Sequence, residues 1–431
     1  MSRDVAITGV GVVSAYGAGL DALWEGLCEG VTCIAPVESF DATGFACSLA
    51  AEVPSDFSAR GFVPKSYRKA VKVMARDIEY AVAAAQEAAC DAALVTRESE
   101  DQEPTYPLTR LGCQIGAGLI ACEMPEIALA MSNASDDDGS VDIRVWGERG
   151  MQNLTPLWLL KYLPNMLACH VTIIHGARGP SNTITCSEAS GLLSVGEASS
   201  VIRRGRADAC FAGSAEAKIN AMGLVRMQLA ERLATCDADA TDVVRPYSPA
   251  ASGSVLGDGG GLVILEDAHK ARDRGARLYA RVAGFGASHS SSSEPGHNAR
   301  SLTDALEIAL EDAGVNAGDV DAIVPLALGV GEIDSFERSA FESAFGDRLS
   351  GIPIVVLSPM IGYLCAGVGG VSLGVAAKCL LEQKLPAGVA TGLGTSDLSV
   401  SDASQSASLD TIVVCNSSHG GQHAAVVLRR V

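Results

Sequence analysis

The chain has 431 residues, 48% of them hydrophobic, and a formal net charge of -19 at pH 7. That length accommodates two ordinary domains or one large duplicated one, with ample apolar content for a buried core. The acidic balance excludes a nucleic-acid surface, which needs clustered Lys and Arg, and argues against a main docking face for an acidic partner.

In chain order, residues 4–10 predict a strand rather than a charged leader before an apolar run, so no signal peptide is indicated. Ala-rich periodicity predicts a helix over 65–93, followed by a polar loop at 97–108 and a strand at 111–117. A glycine turn, Gly116-Ala117-Gly118, leads into a helix from Cys122 to Met131. The stretch 133–150 reads as a loop, with Asp136-Asp137-Asp138-Gly139 solvated. An apolar cluster follows in Leu157, Trp158, Leu159, Leu160, Tyr162, Leu163 and Met166. Further helices are expected at 189–204, 302–313 and 370–383, strands at 207–213, 262–266 and 321–328, and loops at 286–300 and 396–409. This alternation indicates an α/β class. No apolar segment approaches the roughly 20 residues that span a bilayer.

The 13 cysteines lack CxxC or Cys/His metal spacing. Several, such as Cys90, Cys169, Cys210 and Cys379, sit in apolar runs and read as buried, reduced thiols of a cytoplasmic protein, with no metal. His170 and His175 read as structural histidines.

A faint internal repeat is present. Ala85-Gln86-Glu87-Ala88-Ala89 recurs as Ala305-Leu306-Glu307-Ile308-Ala309, at an offset of 220 residues. Ser194-Val195-Gly196-Glu197-Ala198 recurs as Ser372-Leu373-Gly374-Val375-Ala376, at an offset of 178. The first half therefore carries 42 extra residues, bracketed by about 118–175. The halves divide as 1–266 and 267–431.

The stretch Gly179-Pro180-Ser181-Asn182-Thr183-Ile184-Thr185-Cys186-Ser187-Glu188-Ala189-Ser190-Gly191 resembles the nucleophile turn of the β-ketoacyl synthase family. In that family Gly-Pro, a short apolar strand and a small residue lead to a cysteine, then two small residues and Gly. Glu188 stands in the cysteine's place. Asp4 to Gly17, Ala207 to Glu216, Arg245-Pro246-Tyr247, Leu256 to Gly261, Gly362-Tyr363-Leu364 and Gly369-Gly370 are similar to further landmarks, in order. The resemblance implies a thiolase-like five-layer αβαβα fold of two duplicated halves.

It also exposes what is missing. Asp334 and Glu337 match the family's Asp-x-x-Glu, but the histidine slot eight residues before Asp334 holds Leu326. Tyr363 occupies the second histidine's place and Ser358 the lysine's. Ala251-Ser252-Gly253 replaces Arg-Asp-Gly. No catalytic residue is therefore assigned. Glu188 is expected to cap its helix, since Thr185-x-x-Glu188 has capping-box spacing, and to occlude the old pocket. As substitute nucleophiles, Cys186 comes two residues early and would be aimed differently, and Ser187 has no evident base.

Family members that lack the nucleophile and travel with an active sister are the chain-length factors of type II polyketide synthases. The resemblance implies a non-catalytic subunit. It would form a heterodimer with an active ketosynthase α subunit, shape the acyl tunnel, and meet the acyl carrier protein mainly through that partner. No cofactor, metal, nucleic acid or membrane is implied. The Glu departure leaves room for a polyene-making, highly reducing system. The alternative is a malonyl-carrier decarboxylase that supplies the starter unit, but such enzymes keep both histidines. In the resembled subunits a helix after the glycine turn closes the tunnel, which makes Cys122, Met124, Pro125, Ile127 and Leu129 the candidate gates. His419, in Ser418-His419-Gly420-Gly421, takes the place of an aromatic plug. Trp158, Leu159, Tyr162, Leu163 and Met166 are the candidate dimer interface.

Overall fold

The structure, a computed structural model, describes residues 3–99, 102–236, 243–291, 294–387, 398–400 and 403–431. Its principal strands are β1 (Val5–Ser14), β2 (Leu111–Gly116), β3 (Ser181–Ile184), β4 (Ala209–Glu216), β5 (Gly259–Asp267), β6 (Ala280–His289), β7 (Ala322–Val324), β8 (Thr411–Ser417) and β9 (Gln422–Arg429). Its principal helices are α1 (Arg76–Asp91), α2 (Met124–Ser132), α3 (Met166–His175), α4 (Ser190–Arg203), α5 (Ala221–Leu229), α6 (Pro295–Ala313), α7 (Gly331–Phe345) and α8 (Val368–Glu382).

All ten residues of β1 are buried, which requires cover on both faces. The topology supplies it. One sheet runs β3-β2-β4-β5-β1 and the other β7-β8-β9-β6. Antiparallel pairing of Ala6 with Arg281 and Ile7 with Ala280 joins them. A parallel bridge from Ile323 to Ile354 extends the second sheet at its outer edge. Helices α4 and α8 fill the layer between the sheets, and α8 is buried at every residue from Val368 to Leu380. Helices α1 and α3 cover one outer face, and α6 and α7 the other. The fold is the expected thiolase-like five-layer arrangement.

The duplication reaches individual contacts. A Cβ on Gly9 or Gly11 of β1 would lie 2.2 and 2.0 Å from the carbonyl oxygens of Ala88 and Ala84 in α1. A Cβ on Gly284 or Gly286 of β6 would lie 2.1 and 2.0 Å from those of Ala309 and Ala305 in α6. Each strand also carries a bulge just before the first glycine of its pair. Ala84 thus corresponds to Ala305, and the sequence pairing of Ala85 with Ala305 was one residue out of step. The pairing of the two inner helices was in step, since Gly191 of α4 abuts Gly369 of α8.

Other expectations need correction. Residues 65–75 form two short 3-10 turns, and the α-helix starts only at Arg76. Pro64 and the extended Met74 interrupt what composition alone would continue. The stretch 133–150 includes a short helix, Ile143–Glu148, capped by Asp142. The strand expected at 321–328 ends at Val324. Part of the expected loop at 396–409 lies outside the described residues. Among the described residues one helical stretch, Cys365–Glu382, is long and apolar enough to cross a membrane, but 83% of it is buried inside the fold. The cysteines are not all free: Cys47 and Cys236 pair as a disulfide, with Cα atoms 5.4 Å apart. Cys90 is exposed rather than buried, whereas Cys210 and Cys379 are buried as expected. Burial pushes the His175 imidazole down to about 3, consistent with a neutral structural histidine.

Because the glycine contacts meet rigid backbone, Gly11→Val and Gly286→Val should each destabilise the chain by about 3 kcal/mol in urea unfolding. Gly318→Ala, whose Cβ would meet nothing within 4 Å, should shift stability by no more than about 0.5 kcal/mol. Similar effects at all three positions would contradict the close-approach account.

Candidate functional site

Strand β3 delivers the chain to Cys186, and Ser187 then takes a left-handed conformation, φ 47°. A single 3-10 turn, Ser187–Ala189, runs directly into α4. The Cys186 amide donates to Ser190 Oγ at 2.8 Å, and that hydroxyl donates to the carbonyl of Ala117 at 3.2 Å. This sharp turn places Glu188 in the interior, 1% exposed.

Glu188 does not form the expected capping box. Its carboxylate is engaged across the fold instead. Glu188 Oε1 accepts from Arg232 Nη1 at 3.0 Å and from the Tyr363 hydroxyl. Arg232 Nη1 also lies 3.3 Å from the Tyr363 hydroxyl, and Nη2 meets His419 Nδ1 at 3.0 Å. Asn416 Nδ2 donates to the Glu188 carbonyl at 3.3 Å. Burial, reinforced by the charge of Glu188, raises the Tyr363 phenol well above its usual range, so it stays a neutral donor. Burial opposes the Arg232 charge, but Tyr363 and Glu188 outweigh it. The result is a buried ion pair with a phenol as third member.

Arg232 was missed by sequence reasoning. A buried carboxylate calls for a cation, but nothing in Glu231-Arg232-Leu233 marks which one. Two of the degenerate positions, Glu188 and Tyr363, thus touch, and Arg232 ties them to His419. That histidine is exposed and stands at the wall of a cavity beside Glu188, Arg232 and Tyr363.

The other two degenerate positions share a neighbouring loop. Leu326 is 2% exposed. Its amide and that of Ala327 donate to Glu337 at 3.2 and 3.0 Å, and Leu328 and Tyr247 amides donate to Asp334 at 3.1 and 2.8 Å. The Ser358 hydroxyl donates to the Ala327 carbonyl. The two acids therefore hold a loop rather than a reacting group. Burial pushes Asp334 up to about 7, and burial with the neighbouring Asp334 pushes Glu337 up to about 8.

The old pocket is not fully occluded. A cavity of about 410 Å³ remains, walled by Glu188, Arg232, Tyr363, Glu216, Lys218 and Arg226 among others. Of the gating candidates His419 lines it, whereas Cys122, Met124, Pro125, Ile127 and Leu129 do not. Cys122 precedes α2 rather than belonging to it, Met124 and Leu129 are 49% and 59% exposed, and Ile127 is half-buried. Pro125 occupies the first turn of α2. Lys161 bonds Glu123 and Glu126 at 3.1 and 2.6 Å, and the Tyr162 hydroxyl bonds Glu126 at 2.6 Å, so α2 and the apolar cluster form one unit. Within that cluster Leu157 and Leu159 are 75% and 58% exposed. Trp158, Leu163 and Met166 are half-buried, while Tyr162 is buried and serves internal packing instead.

Comparisons with known proteins agree with this architecture. The profile "Beta-ketoacyl synthase, N-terminal domain" matches residues 2–271, and "Beta-ketoacyl synthase, C-terminal domain" matches residues 279–391. A 3-oxoacyl-[acyl-carrier-protein] synthase 2 from Vibrio cholerae is 28% identical over 442 residues, covering 100% of this chain and 99% of that protein. The granaticin polyketide putative beta-ketoacyl synthase 1 of Streptomyces violaceoruber is 26% identical over 435 residues, covering 100% and 99%. Among solved structures, the ishigamide ketosynthase/chain length factor superposes with a TM-score of 0.83 at 24% identity, covering 100% of both chains.

Removing one member of the buried ion pair strands the other. Arg232→Ala should therefore cost about 3–5 kcal/mol in chemical unfolding, and adding Glu188→Gln should recover a good part of it. A loss within about 0.5 kcal/mol for Arg232→Ala would show the pair to be energetically idle. The loop acids make a second expectation. Their folded pKa values lie above the ordinary 3.8 and 4.5, so the folded chain holds extra protons. The stability they contribute is complete below those ordinary values and is lost as pH rises through about 7–8. Melting temperature should fall between about pH 5.5 and 8, and Glu337→Gln should flatten that fall. An unchanged slope in the variant would assign the titration elsewhere.

Proposed function

The chain belongs to the β-ketoacyl synthase family, and on that premise we propose that it is a non-catalytic, chain-length-factor-type subunit that pairs with an active ketosynthase in type II polyketide synthesis. The observation that carries this reading is the Glu188–Arg232–Tyr363 cluster. A carboxylate committed to an ion pair cannot form an acyl thioester, and neither Leu326 nor Tyr363 offers an imidazole to a malonyl group. The changes are mutually adapted: the acid has its counter-ion and its phenol donor. Both contacts fall on Oε1, while Oε2 is buried and meets no hydrogen-bond partner among the described residues.

Two surface features support a life in complex. Exposed apolar side chains are concentrated in the inserted stretch: Leu119, Leu129, Ile143, Met151, Leu157, Leu159 and Leu160 are 41–83% exposed. A patch of this kind on a monomer marks an interaction surface, and an obligate interface of about 2,000 Å² or more would cover it. The second feature is local charge. Arg60, Lys65, Arg68, Lys69 and Lys72 are all exposed, and no acid lies between Phe57 and Arg76. Whole-chain charge concealed this basic run, which suits an acidic carrier protein pausing on its way to the partner's active site. The ishigamide ketosynthase/chain length factor, by its name, pairs the two roles proposed here.

Purified alone, the chain should show no acyl adduct by intact mass spectrometry after incubation with acyl-carrier thioester, and no decarboxylation of malonyl-carrier protein. Glu188→Cys should not restore condensation, because members of a catalytic unit act non-additively. Co-expression with a ketosynthase should give a co-purifying heterodimer, and a stable monomer at micromolar concentration that never pairs would end this reading. A stable adduct on the wild-type chain would point instead to an independent synthase.

A further inference from the structure

The disulfide lies in the scaffold that holds the Glu188 cluster. Cys47 is 1% exposed and Cys236 is half-buried, 189 residues apart in sequence. Cys47 stands two residues ahead of a short strand, Leu49–Ala51, which pairs in parallel with Leu256–Gly257. On the other side, Ser254 donates to the Arg232 carbonyl and Ala234 donates to the Ser254 carbonyl, both at 2.8 Å. Tyr363 joins the same strip: its amide donates to Val255 at 2.8 Å, and Gly257 donates to its carbonyl at 3.0 Å. The strip 254–257 therefore carries both residues that grip the Glu188 carboxylate. The Cys236 amide also donates to the Ala46 carbonyl at 3.3 Å. The sulfur bridge closes this platform into a ring, with Arg232 four residues from Cys236.

We propose that Cys47 and Cys236 form a reversible thiol–disulfide pair that clamps this platform, so that oxidation holds the Arg232–Glu188 contact shut and reduction lets it open. The co-reactant is a low-molecular-weight disulfide such as oxidised glutathione. The more accessible Cys236 loses its proton and its thiolate attacks one sulfur of that disulfide, releasing one small thiolate and leaving a mixed disulfide. Cys47, deprotonated in turn, attacks Cys236 Sγ and expels the second small thiolate. Two protons leave the cysteines, the expelled thiolates can take them up, and two electrons pass from the protein to the small disulfide. This pairing is independent of whether the chain has a synthase partner.

Half-buried Cys186 directly precedes the Ser187–Ala189 turn that carries Glu188, so its alkylation rate reads local opening of that turn. The full-length chain is poised with oxidised or reduced glutathione, treated with an alkylating agent and mapped by peptide mass spectrometry. The oxidised sample should yield a linked Cys47–Cys236 peptide. Its Cys186 should be alkylated about threefold more slowly or less than in the reduced chain, as expected when local opening is suppressed. The Cys47→Ser/Cys236→Ser variant should label at the reduced rate under both conditions. Should that variant fail to fold, the oxidised and reduced wild-type rates decide the matter by themselves. A chain that never yields the linked peptide, or one in which Cys186 labels equally in both states, overturns the proposal.

Discussion

The structure turns on the place where α4 and α8 meet. A Cβ on Gly191 would sit 2.9 Å from the Gly369 Cα, and one on Gly369 would sit 2.9 Å from the Gly191 Cα. Two helices that start at the same point bring together whatever precedes them in sequence. Residues 187–188 ahead of α4 and 363–365 ahead of α8 become neighbours, and the Tyr363 hydroxyl reaches the Glu188 carboxylate. Any larger residue at the crossing would push the two turns apart. Fold and site thus share one steric requirement: the absence of side chains at two positions.

The scaffold keeps strain that the proposed function no longer uses for chemistry. Ser187, Ala327 and Cys365 all adopt left-handed conformations, at φ 47°, 45° and 50°. Each adjoins or closely follows a degenerate position: Glu188, Leu326 and Tyr363. Such conformations cost about 1–3 kcal/mol apiece in a non-glycine residue. They persist because the surrounding bonds over-determine them, as with the amide of Ala327, held by Glu337, and its carbonyl, held by Ser358. On the proposed reading the exchange at position 188 is a change of side chain, whereas the backbone around it belongs to the fold.

Much of this was legible in the sequence, and the gaps have physical causes. The position of Glu188 could be counted from Gly179-Pro180 and from Gly191, because tight turns tolerate no change of length. The layer order followed from ordered landmarks and the repeat. The register of the outer repeat was one residue off, because Ala-rich helices look alike at every phase and only the glycines opposite fix it. The Arg232 ion pair and the Cys47–Cys236 bridge are contacts between distant segments, which no local pattern encodes. Tyr162 looked like its exposed neighbours until Glu126 drew its hydroxyl inward. Net charge hid the basic run at 60–72 because a sum carries no position.

Strand β1 has a further consequence, for the order in which the molecule is made. It is fully buried, yet apart from the short Gly17–Ala18 strand at its end its partners, β5 and β6, lie at residues 259–267 and 280–289. A ribosome finishes the first strand long before either partner exists. At typical elongation rates the wait is on the order of tens of seconds. Throughout it the apolar strand, beyond its local pairing of Val13 and Ser14 with Gly17–Ala18, lacks its long partners. The two sheets can therefore join only once the second half has begun to emerge.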